Sequence, residues 1–328
     1  VYKRQSKDFS DAMAGFDPTL QPSDDRGHLL TEQSNPLSCQ LDQLETEDLV
    51  NLFVEEDRRP QQAVAGASDA LAAAVDAISE RLLSGGRLFY LGAGTSGRLG
   101  VLDAAECPPT FCSDPKLVQG VLAGGTPALL RSSEGLEDLE RAGREDLERH
   151  GFQKGDCLVG IAAGGTTPYV RGGLAYARSI GALAIAMACV PKDQAPLPCD
   201  IDIRLLTGPE LLTGSTRLKA GTATKMALNI LSTTVMVRLG KVYGNRMVDV
   251  AASNSKLVDR SLRILRDLIG VEREEGLALL ASSDGSVKLA LLMKAAELSK
   301  EQAKVVLERH HQQLRPALET CGATLAQL

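Results

Sequence analysis

The sequence predicts an α/β protein: a three-layer sandwich around a parallel sheet of about five strands, with a helical C-terminal subdomain. Five apolar runs of strand length lie between residues 87 and 207, separated by helical stretches or polar connections. The runs are apolar throughout, as expected for strands that are buried on both faces of a sheet. After residue 251 the helical periodicity continues with almost no strand signal. Strands that alternate with helices favour a parallel sheet covered on both sides.

The N-terminal part of the chain is predicted to be a leader followed by two helices. Residues 1–28 are polar and lack periodicity, and we expect a disordered leader there. Apolar residues recur at helical spacing over 45–58, with acidic residues in the first turn. An alanine-rich helix over about 60–83 follows and stops at Gly85 and Gly86.

The pattern then changes to strands that alternate with helices. The predicted strands are 87–92, 117–123, 157–163, 182–189 and 201–207. Helical stretches or long connections are expected at 129–150 and 169–180, a long helix is expected at 215–240, and helices continue from about 251 to 318. In parallel sheets of this kind, ligands bind at the carboxyl ends of the strands.

Composition excludes several classes of function. The chain has 328 residues, 44% of them hydrophobic, and a net charge of −6, which argues against a general nucleic-acid binder. No run approaches the ~20 apolar residues of a membrane helix, and no signal peptide is visible, so we expect a cytoplasmic protein with no membrane partner. The seven cysteines form no Cys-x-x-Cys pair and the four histidines lie away from the glycine loops. We therefore expect free thiols, no metal site and no cofactor.

The first glycine-rich loop, residues 92–97, follows a predicted strand and precedes a predicted helix. Backbone N–H groups in such a loop point at a ligand above the sheet, and Thr95 and Ser96 add hydroxyl donors. This combination suits a phosphate. The spacing Gly92-x-Gly94-x-x-Gly97 also fits the dinucleotide-binding fingerprint. That interpretation is weaker, because the second strand runs into glycines with no acidic residue at its end for the ribose.

Two further segments could bind an anion. Residues 163–168 form a second glycine-rich loop with Thr166 and Thr167, again between a strand and a helix. Residues 213–222 combine hydroxyls with Arg217 and Lys219 at a helix start, which suits an anionic ligand or equally a helix cap by Ser215 or Thr216. A plain β-to-α turn would also explain the second loop.

Glu106 is the carboxylate that the sequence singles out. Its neighbours are Ala104, Ala105, Cys107 and the two prolines that follow, and they are not the polar surroundings of a solvated face. A carboxyl group in such a setting tends to have a raised pKa, as a general acid at neutral pH requires. Cys107 is not predicted to be a nucleophile, because no base is evident near it in the sequence.

These motifs together resemble the sugar isomerase (SIS) fold and, within it, the N-acetylmuramic acid 6-phosphate etherases. The resemblance covers roughly residues 30–318. Its most specific part is Glu-Cys-Pro-Pro-Thr at 106–110, shortly after Gly-Thr-Ser-Gly-Arg at 94–98. Glu-Gly-Leu-Glu-Asp at 134–138, residues 213–222 and Gly-Lys-Val-Tyr-Gly-Asn at 240–245 complete it. With the SIS sugar-phosphate-binding domain that the resemblance implies, the predicted organisation is a leader over 1–28, that domain with N-terminal helices over 29–250, and a helical subdomain over 251–328.

The resemblance implies a lyase that releases D-lactate from C3 of N-acetylmuramic acid 6-phosphate by elimination and then hydration. Glu106 matches the family's acid, which protonates lactate and later activates water, and Glu137 matches the second glutamate, the base at C2. No metal or nucleotide is needed, the partner is a small sugar phosphate, and the family works as a homodimer. The residues expected to bind the substrate or its phosphate are Gly94, Thr95, Ser96, Gly97, Gly165, Thr166, Thr167, Ser215 and Lys219.

One departure and two alternatives accompany the resemblance. The family's second loop usually reads Ala-Ser-Gly-Arg-Thr-Pro, and here Gly164 and Thr166 replace the serine and the arginine. Losing one hydrogen bond to a charged phosphate would cost roughly 1.5–3 kcal/mol of binding free energy. The alternatives are a non-catalytic sugar-phosphate sensor like the glucokinase regulatory proteins, and an aldose–ketose isomerase on the same fold. Glu106 in its Glu-Cys-Pro-Pro context argues against both.

Overall fold

The computed structural model describes residues 25–131, 135–250 and 255–326. Residues 1–24, most of the expected leader, lie outside the described residues. The five predicted strands are confirmed, each within a few residues of its expected bounds. They are β1 Leu88–Gly92, β2 Val118–Leu122, β3 Cys157–Ile161, β4 Leu183–Ala188 and β5 Ile201–Arg204.

All five strands run parallel in one sheet with the order β2-β1-β3-β4-β5. The chain leaves β1 toward β2 on one side and returns to β3 on the other side. The topological switch point therefore lies between β1 and β3, where open α/β sheets form a crevice at the carboxyl ends of their strands.

Helices cover both faces of the sheet, which confirms the three-layer sandwich. Leu88 and Tyr90 face one core and Phe89 and Leu91 face the other, because side chains alternate along a strand. The helices of this part of the chain are α1 Thr46–Glu56, α2 Arg59–Gly66, α3 Ser68–Leu83, α4 Gly94–Phe111, α5 Glu140–Arg149, α6 Pro168–Ser179 and α7 Lys219–Arg238. Helices α3, α4 and α7 cover the first face, and α5 and α6 cover the second.

Two helix predictions need correction, whereas the stretch 129–150, expected as a helix or a long connection, contains α5 among its described residues, after a short 3₁₀ turn at Thr126–Leu129. The single helix expected over about 60–83 is two helices, which are divided at Ala67 after Gly66, a residue with poor helix propensity. The helix expected from residue 215 begins at Lys219, where a carboxylate described below caps it.

The C-terminal helices enclose a third hydrophobic core with no residue in common with the other two. They are α8 Ser255–Ile269, α9 Arg273–Ser282, α10 Val287–Ala295, α11 Lys300–Arg309 and α12 Leu314–Thr320. A short hairpin that the sequence did not predict, β6 Val242–Tyr243 and β7 Arg246–Met247, precedes them. Val248 and Val250 also pack into this core. The domain boundaries expected at residues 28 and 250 stay predictions.

No single described helix is long and apolar enough to cross a membrane; α9 and α10, bent by 106° at their break, pass the test of length and composition only as a pair.

Candidate functional site

The two glycine-rich loops begin at the same level of the sheet. Gly92, the last residue of β1, is paired in register with Ile161, the last residue of β3. The loops that follow these residues therefore leave the sheet side by side, at the switch point between β1 and β3. The structure thus brings together two segments that lie about 70 residues apart in the chain.

The first loop turns directly into the N-terminus of α4. The backbone N–H groups of Gly94, Thr95 and Ser96 have no partner in the described part of the chain, and no side chain caps the helix. A Cβ atom at Gly97 would overlap the carbonyl oxygen of Gly92, so this close approach of helix to strand requires glycine. The result is a helix N-terminus with unused donors, the arrangement that binds anions.

The second loop brings Glu137 to the same edge of the sheet. The backbone N–H of Tyr169, in the first turn of α6, donates to the Glu137 carbonyl oxygen at 3.0 Å. Glu137 is half-buried. Gly165 has a φ of +69°, and a Cβ there would lie 2.7 Å from the Ala195 Cβ, so the loop conformation requires glycine. The α6 N-terminus is already occupied, and the second loop therefore offers its half-buried Thr166 and Thr167 hydroxyls instead.

An N-terminal segment packs onto the second loop. The Leu30 backbone N–H donates to the Gln194 side chain at 2.9 Å. Thr31 is 1% exposed, and its hydroxyl has no hydrogen-bond partner within the described ranges. A Cβ built on Gly164 would lie 3.6 Å from the Thr31 Oγ1 and 3.8 Å from the Thr166 Oγ1. Gly164 stands where the family usually has serine. It therefore leaves an open notch that is lined by the hydroxyls of Thr31 and Thr166.

The third segment also reaches the first loop. A Cβ built on Gly221, in the first turn of α7, would lie 3.6 Å from the Thr95 Cγ2 atom. Ser215 is half-buried four residues before the helix, and Arg217 is exposed. Neither Ser215 nor Thr216 caps α7. Glu210 does so instead, accepting from the backbone N–H groups of Lys219 and Ala220 at 3.1 and 2.9 Å. The α7 N-terminus is thus closed to an external anion.

The structure argues against Lys219 as a phosphate ligand. Its side chain is 3% exposed, and its Nζ lies 2.5 Å from the Glu56 Oε2. Burial by itself would raise the pKa of Glu56, but the hydrogen bond and charge of Lys219 outweigh it and the pKa is lowered. A buried ammonium in such an ion pair is not available to a ligand without taking from Glu56 its closest cation, since Arg59 lies 3.5 Å from the other carboxylate oxygen. We therefore leave Lys219 out of the site.

Glu106 lies away from the loops and in other surroundings than the sequence predicts. It is on α4, twelve residues after Gly94 and hence about 18 Å further along the helix axis. Its side chain is exposed rather than held in an apolar setting. Among its apolar neighbours in the sequence, Ala104 and Cys107 are buried while Ala105 is exposed like Glu106, because residues one or two positions apart point to different sides of a helix.

A buried polar network lies behind Glu106, and sequence reasoning missed it. The Tyr90 hydroxyl donates to Asp103 Oδ2 at 3.0 Å, and the Ser232 hydroxyl donates to Asp103 Oδ1 at 3.1 Å. Burial raises the pKa of Asp103, although both hydroxyls and the Lys225 charge act in the opposite direction. Burial also raises the pKa of Cys107 to about 12, so its thiol stays protonated at neutral pH, as the sequence led us to expect of a non-nucleophile.

Proteins with an assigned function share most of this chain. A protein of Synechococcus sp. (strain CC9902) that is named N-acetylmuramic acid 6-phosphate etherase is 92% identical over 316 residues, which cover 96% of this chain and all of that protein. A protein of the same name from Synechocystis sp. (strain ATCC 27184 / PCC 6803 / Kazusa) is 61% identical, covering 90% of this chain and 97% of its own length. The chain belongs to the N-acetylmuramic acid 6-phosphate etherase family.

Two further comparisons cover only part of the chain. A family model described as the glucokinase regulatory protein N-terminal SIS domain matches residues 70–178, which is less than half of the chain. A phosphoheptose isomerase from Francisella tularensis resembles the structure with a TM-score of 0.46 and 16% identity, covering 59% of this chain and all of that chain. At these values the likeness carries no argument about the site. Since the etherase relatives match nearly the whole chain, the regulator alternative is not favoured.

The features that the sequence did not predict are contacts between residues that lie far apart in the chain. Asp103 stands three residues before Glu106, but nothing in the sequence signals that Ser232 and Tyr90 converge on it. Thr31 lies 133 positions before Gly164 in the chain, and no periodicity links the two. Glu210 lies nine residues before the helix that it caps, so no local sequence signal predicts this contact either.

Proposed function

We propose that this chain cleaves the D-lactyl ether of N-acetylmuramic acid 6-phosphate, giving N-acetylglucosamine 6-phosphate and D-lactate. Membership of the etherase family makes it a carbon–oxygen lyase. The observation that carries the proposal beyond the family is the pairing of Gly92 with Ile161. This pairing sets two hydroxyl-bearing loops at one switch point. The hydrogen bond from Tyr169 to the Glu137 carbonyl oxygen holds Glu137 beside the second loop.

The phosphate binds at the N-terminus of α4 in this proposal. The unused N–H groups of Gly94, Thr95 and Ser96, with the Thr95 and Ser96 hydroxyls, supply the donors, and Gly97 lets the helix approach the strand. Gly165, Thr166, Thr167 and Ser215 border the same crevice. The helix dipole adds a favourable field for the dianion at this end of α4.

The sugar reacts as its open-chain aldehyde, which acidifies the proton on C2. Glu137 takes this proton, the C3–O bond breaks, and Glu106 gives its proton to the departing lactate oxygen. The ionised Glu106 then accepts a proton from water as the water oxygen adds to C3, and Glu137 returns its proton to C2. Atoms and charge balance: one water is consumed and one lactate is released. Both glutamates end as they began.

A homodimer completes the site in this proposal. Glu106 is exposed and about 18 Å along α4 from Gly94, so it cannot serve a phosphate held on its own chain. A second copy that contributes its Glu106 supplies the missing acid, and an isologous contact makes two such sites. We propose that the reaction takes place in the cytoplasm, as a step in the recycling of peptidoglycan amino sugars.

The test is release of D-lactate from N-acetylmuramic acid 6-phosphate by the purified protein, with Glu106→Gln and Glu137→Gln beside it. We expect D-lactate from the wild type, and losses of at least about a hundredfold in kcat from each variant, as for removal of a general acid or base. Exposed Glu148→Gln is the matched control and should keep full activity. Folded wild-type protein that binds the sugar phosphate without releasing D-lactate would contradict the lyase and favour the regulator alternative.

A further inference from the structure

A cavity beside Glu106 has no assigned part in the steps above. It has a volume of about 320 Å³ and lies between α4 and α7. Asp103 and Glu106 line it from α4, and Lys225, Asn229 and Thr233 line it from α7. The three α7 residues are four positions apart, so they stand on one face of that helix.

Lys225 is the cation of this cavity, and an amide rather than a carboxylate holds it. In the amide orientation that satisfies both of its ends, Asn229 accepts from the Lys225 Nζ at 2.6 Å and donates to the Asp103 Oδ1 at 3.3 Å. Throughout the described residues, no carboxylate oxygen lies within 4.0 Å of the Lys225 Nζ, although its charge acts on Asp103 over a longer distance. The amide of Asn229 therefore positions the ammonium, and no direct ion pair blocks it from an outside anion.

The position of Asn229 is itself fixed from behind. Asp103 is tied to α7 through Ser232 and to the sheet through Tyr90, at 3.1 and 3.0 Å. This chain of hydrogen bonds runs from the buried sheet to the exposed ammonium. A long lysine side chain loses rotamer entropy when a ligand fixes it, and holding it beforehand reduces that loss.

The chemistry of the leaving group supplies the anion. A general acid must be within hydrogen-bond reach of the ether oxygen that it protonates. In the lactyl group a single carbon separates this oxygen from the carboxylate. The substrate carboxylate therefore lies beside whatever residue protonates the ether, and an ammonium next to that acid is its electrostatic complement.

We propose that the Lys225 ammonium binds the carboxylate of the lactyl group, in the cavity between α4 and α7 next to Glu106. The inference rests on the proposed function, in which Glu106 is the acid. Asn229 and Asp103 are positioning residues that act through Lys225. The same contact holds the lactate carboxylate while the C3–O bond breaks, and it discriminates against sugar phosphates that lack the lactyl group.

The experiment compares two sugar phosphates that differ in the lactyl group. In Lys225→Met we expect the KM for N-acetylmuramic acid 6-phosphate to rise about 10- to 100-fold, the loss typical of a hydrogen bond between charged groups. The inhibition constant of N-acetylglucosamine 6-phosphate should stay within about twofold, because it has no carboxylate to lose. Lys225→Arg keeps the charge and should recover part of the affinity. Lys116→Met, at an exposed lysine that does not line the cavity, is the matched control.

Two outcomes would overturn the inference. Equal weakening of both sugar phosphates would mean a general electrostatic or structural role for Lys225, and no weakening of either would mean no contact. Thermal unfolding of each variant checks that the fold is kept. If the wild type releases no D-lactate, the proposed function fails separately, and calorimetric affinities for the two sugar phosphates still decide whether Lys225 recognises the lactyl carboxylate.

Discussion

Gly94 and Glu106 lie on the same helix, twelve residues apart and therefore about 18 Å along its axis. Five bonds separate the phosphorus of a 6-phosphosugar from C3, and their full extended length is less than half of this separation. A substrate bound at the Gly94 end of α4 cannot meet the Glu106 of its own chain. In the proposed mechanism, the phosphate cradle and the acid that one short sequence motif contains therefore belong to two different sites.

Complementation between inactive subunits tests this relationship. We expect Glu106→Gln and a phosphate-loop variant, Ser96→Asp, each to be inactive alone. Mixed after dissociation and reassociation, they should regain roughly a quarter of the wild-type activity per subunit, because half of the dimers hold one intact site of two. Mixing Glu106→Gln with Glu137→Gln is a second pairing. Lack of recovery in mixtures that contain demonstrated heterodimers would contradict the shared site.

Ser96→Asp also tests the phosphate cradle by itself, because its effects on stability and on binding have opposite signs. A carboxylate in the first turn of α4 stabilises the helix by about 0.3–1 kcal/mol. The same charge repels the substrate phosphate. We expect the midpoint of thermal unfolding to stay or rise while sugar-phosphate binding, measured by calorimetry, is lost. Ser96→Ala, which removes only the hydroxyl, is the control and should weaken binding far less.

The ion pair of Lys219 and Glu56 predicts a large loss of stability without a loss of affinity. Lys219→Met leaves the buried Glu56 carboxylate with only the Asn35 amide at 3.3 Å and the exposed Arg59 at 3.5 Å, and we expect the free energy of unfolding in urea to fall by about 3 kcal/mol. The double variant Glu56→Gln/Lys219→Met removes both charges and should recover most of that loss. The KM of folded Lys219→Met should equal that of the wild type. A raised KM with normal stability would return Lys219 to the phosphate site.

The same pair predicts a pH dependence. The pKa of Glu56 in the folded protein is below its ordinary value of 4.5. Its contribution to stability is therefore complete above pH 4.5 and is lost as the pH falls from 4.5 through the lowered pKa. We expect the free energy of unfolding of the wild type to decrease in that window more steeply than that of Glu56→Gln/Lys219→Met. Urea titrations at several pH values measure the difference, and parallel curves would refute it.

The notch between Thr31 and Gly164 predicts two stabilising substitutions. Thr31→Val removes a buried hydroxyl that has no partner within the described residues, and we expect a gain of about 1 kcal/mol. Gly164→Ser fits, since its Cβ would make only ordinary contacts, and its hydroxyl gives Thr31 a partner. The two gains in the free energy of unfolding should not add in the double variant, because both come from the same unpartnered Thr31 hydroxyl. A loss of stability in Thr31→Val would show that water or the substrate pairs with that hydroxyl.

The sequence by itself determined the strands, the parallel α/β class and the positions of both glycine-rich loops. These follow from local signals: apolar runs of strand length, glycines at strand ends and hydroxyls beside them. Its motifs also indicated the family: the resemblance carried by Glu-Cys-Pro-Pro-Thr at 106–110 agrees with the relatives at 92% and 61% identity.

Only the tertiary structure decided which of these residues meet. The sheet order put both loops at one switch point, since the pairing of β1 with β3 is a contact between strands that are distant in the chain. The packing of the helices directs the Lys219 ammonium toward Glu56 and leaves the Glu106 carboxylate exposed to solvent. Local sequence fixes the side of a helix on which a residue lies, but what faces that side depends on which other element packs there.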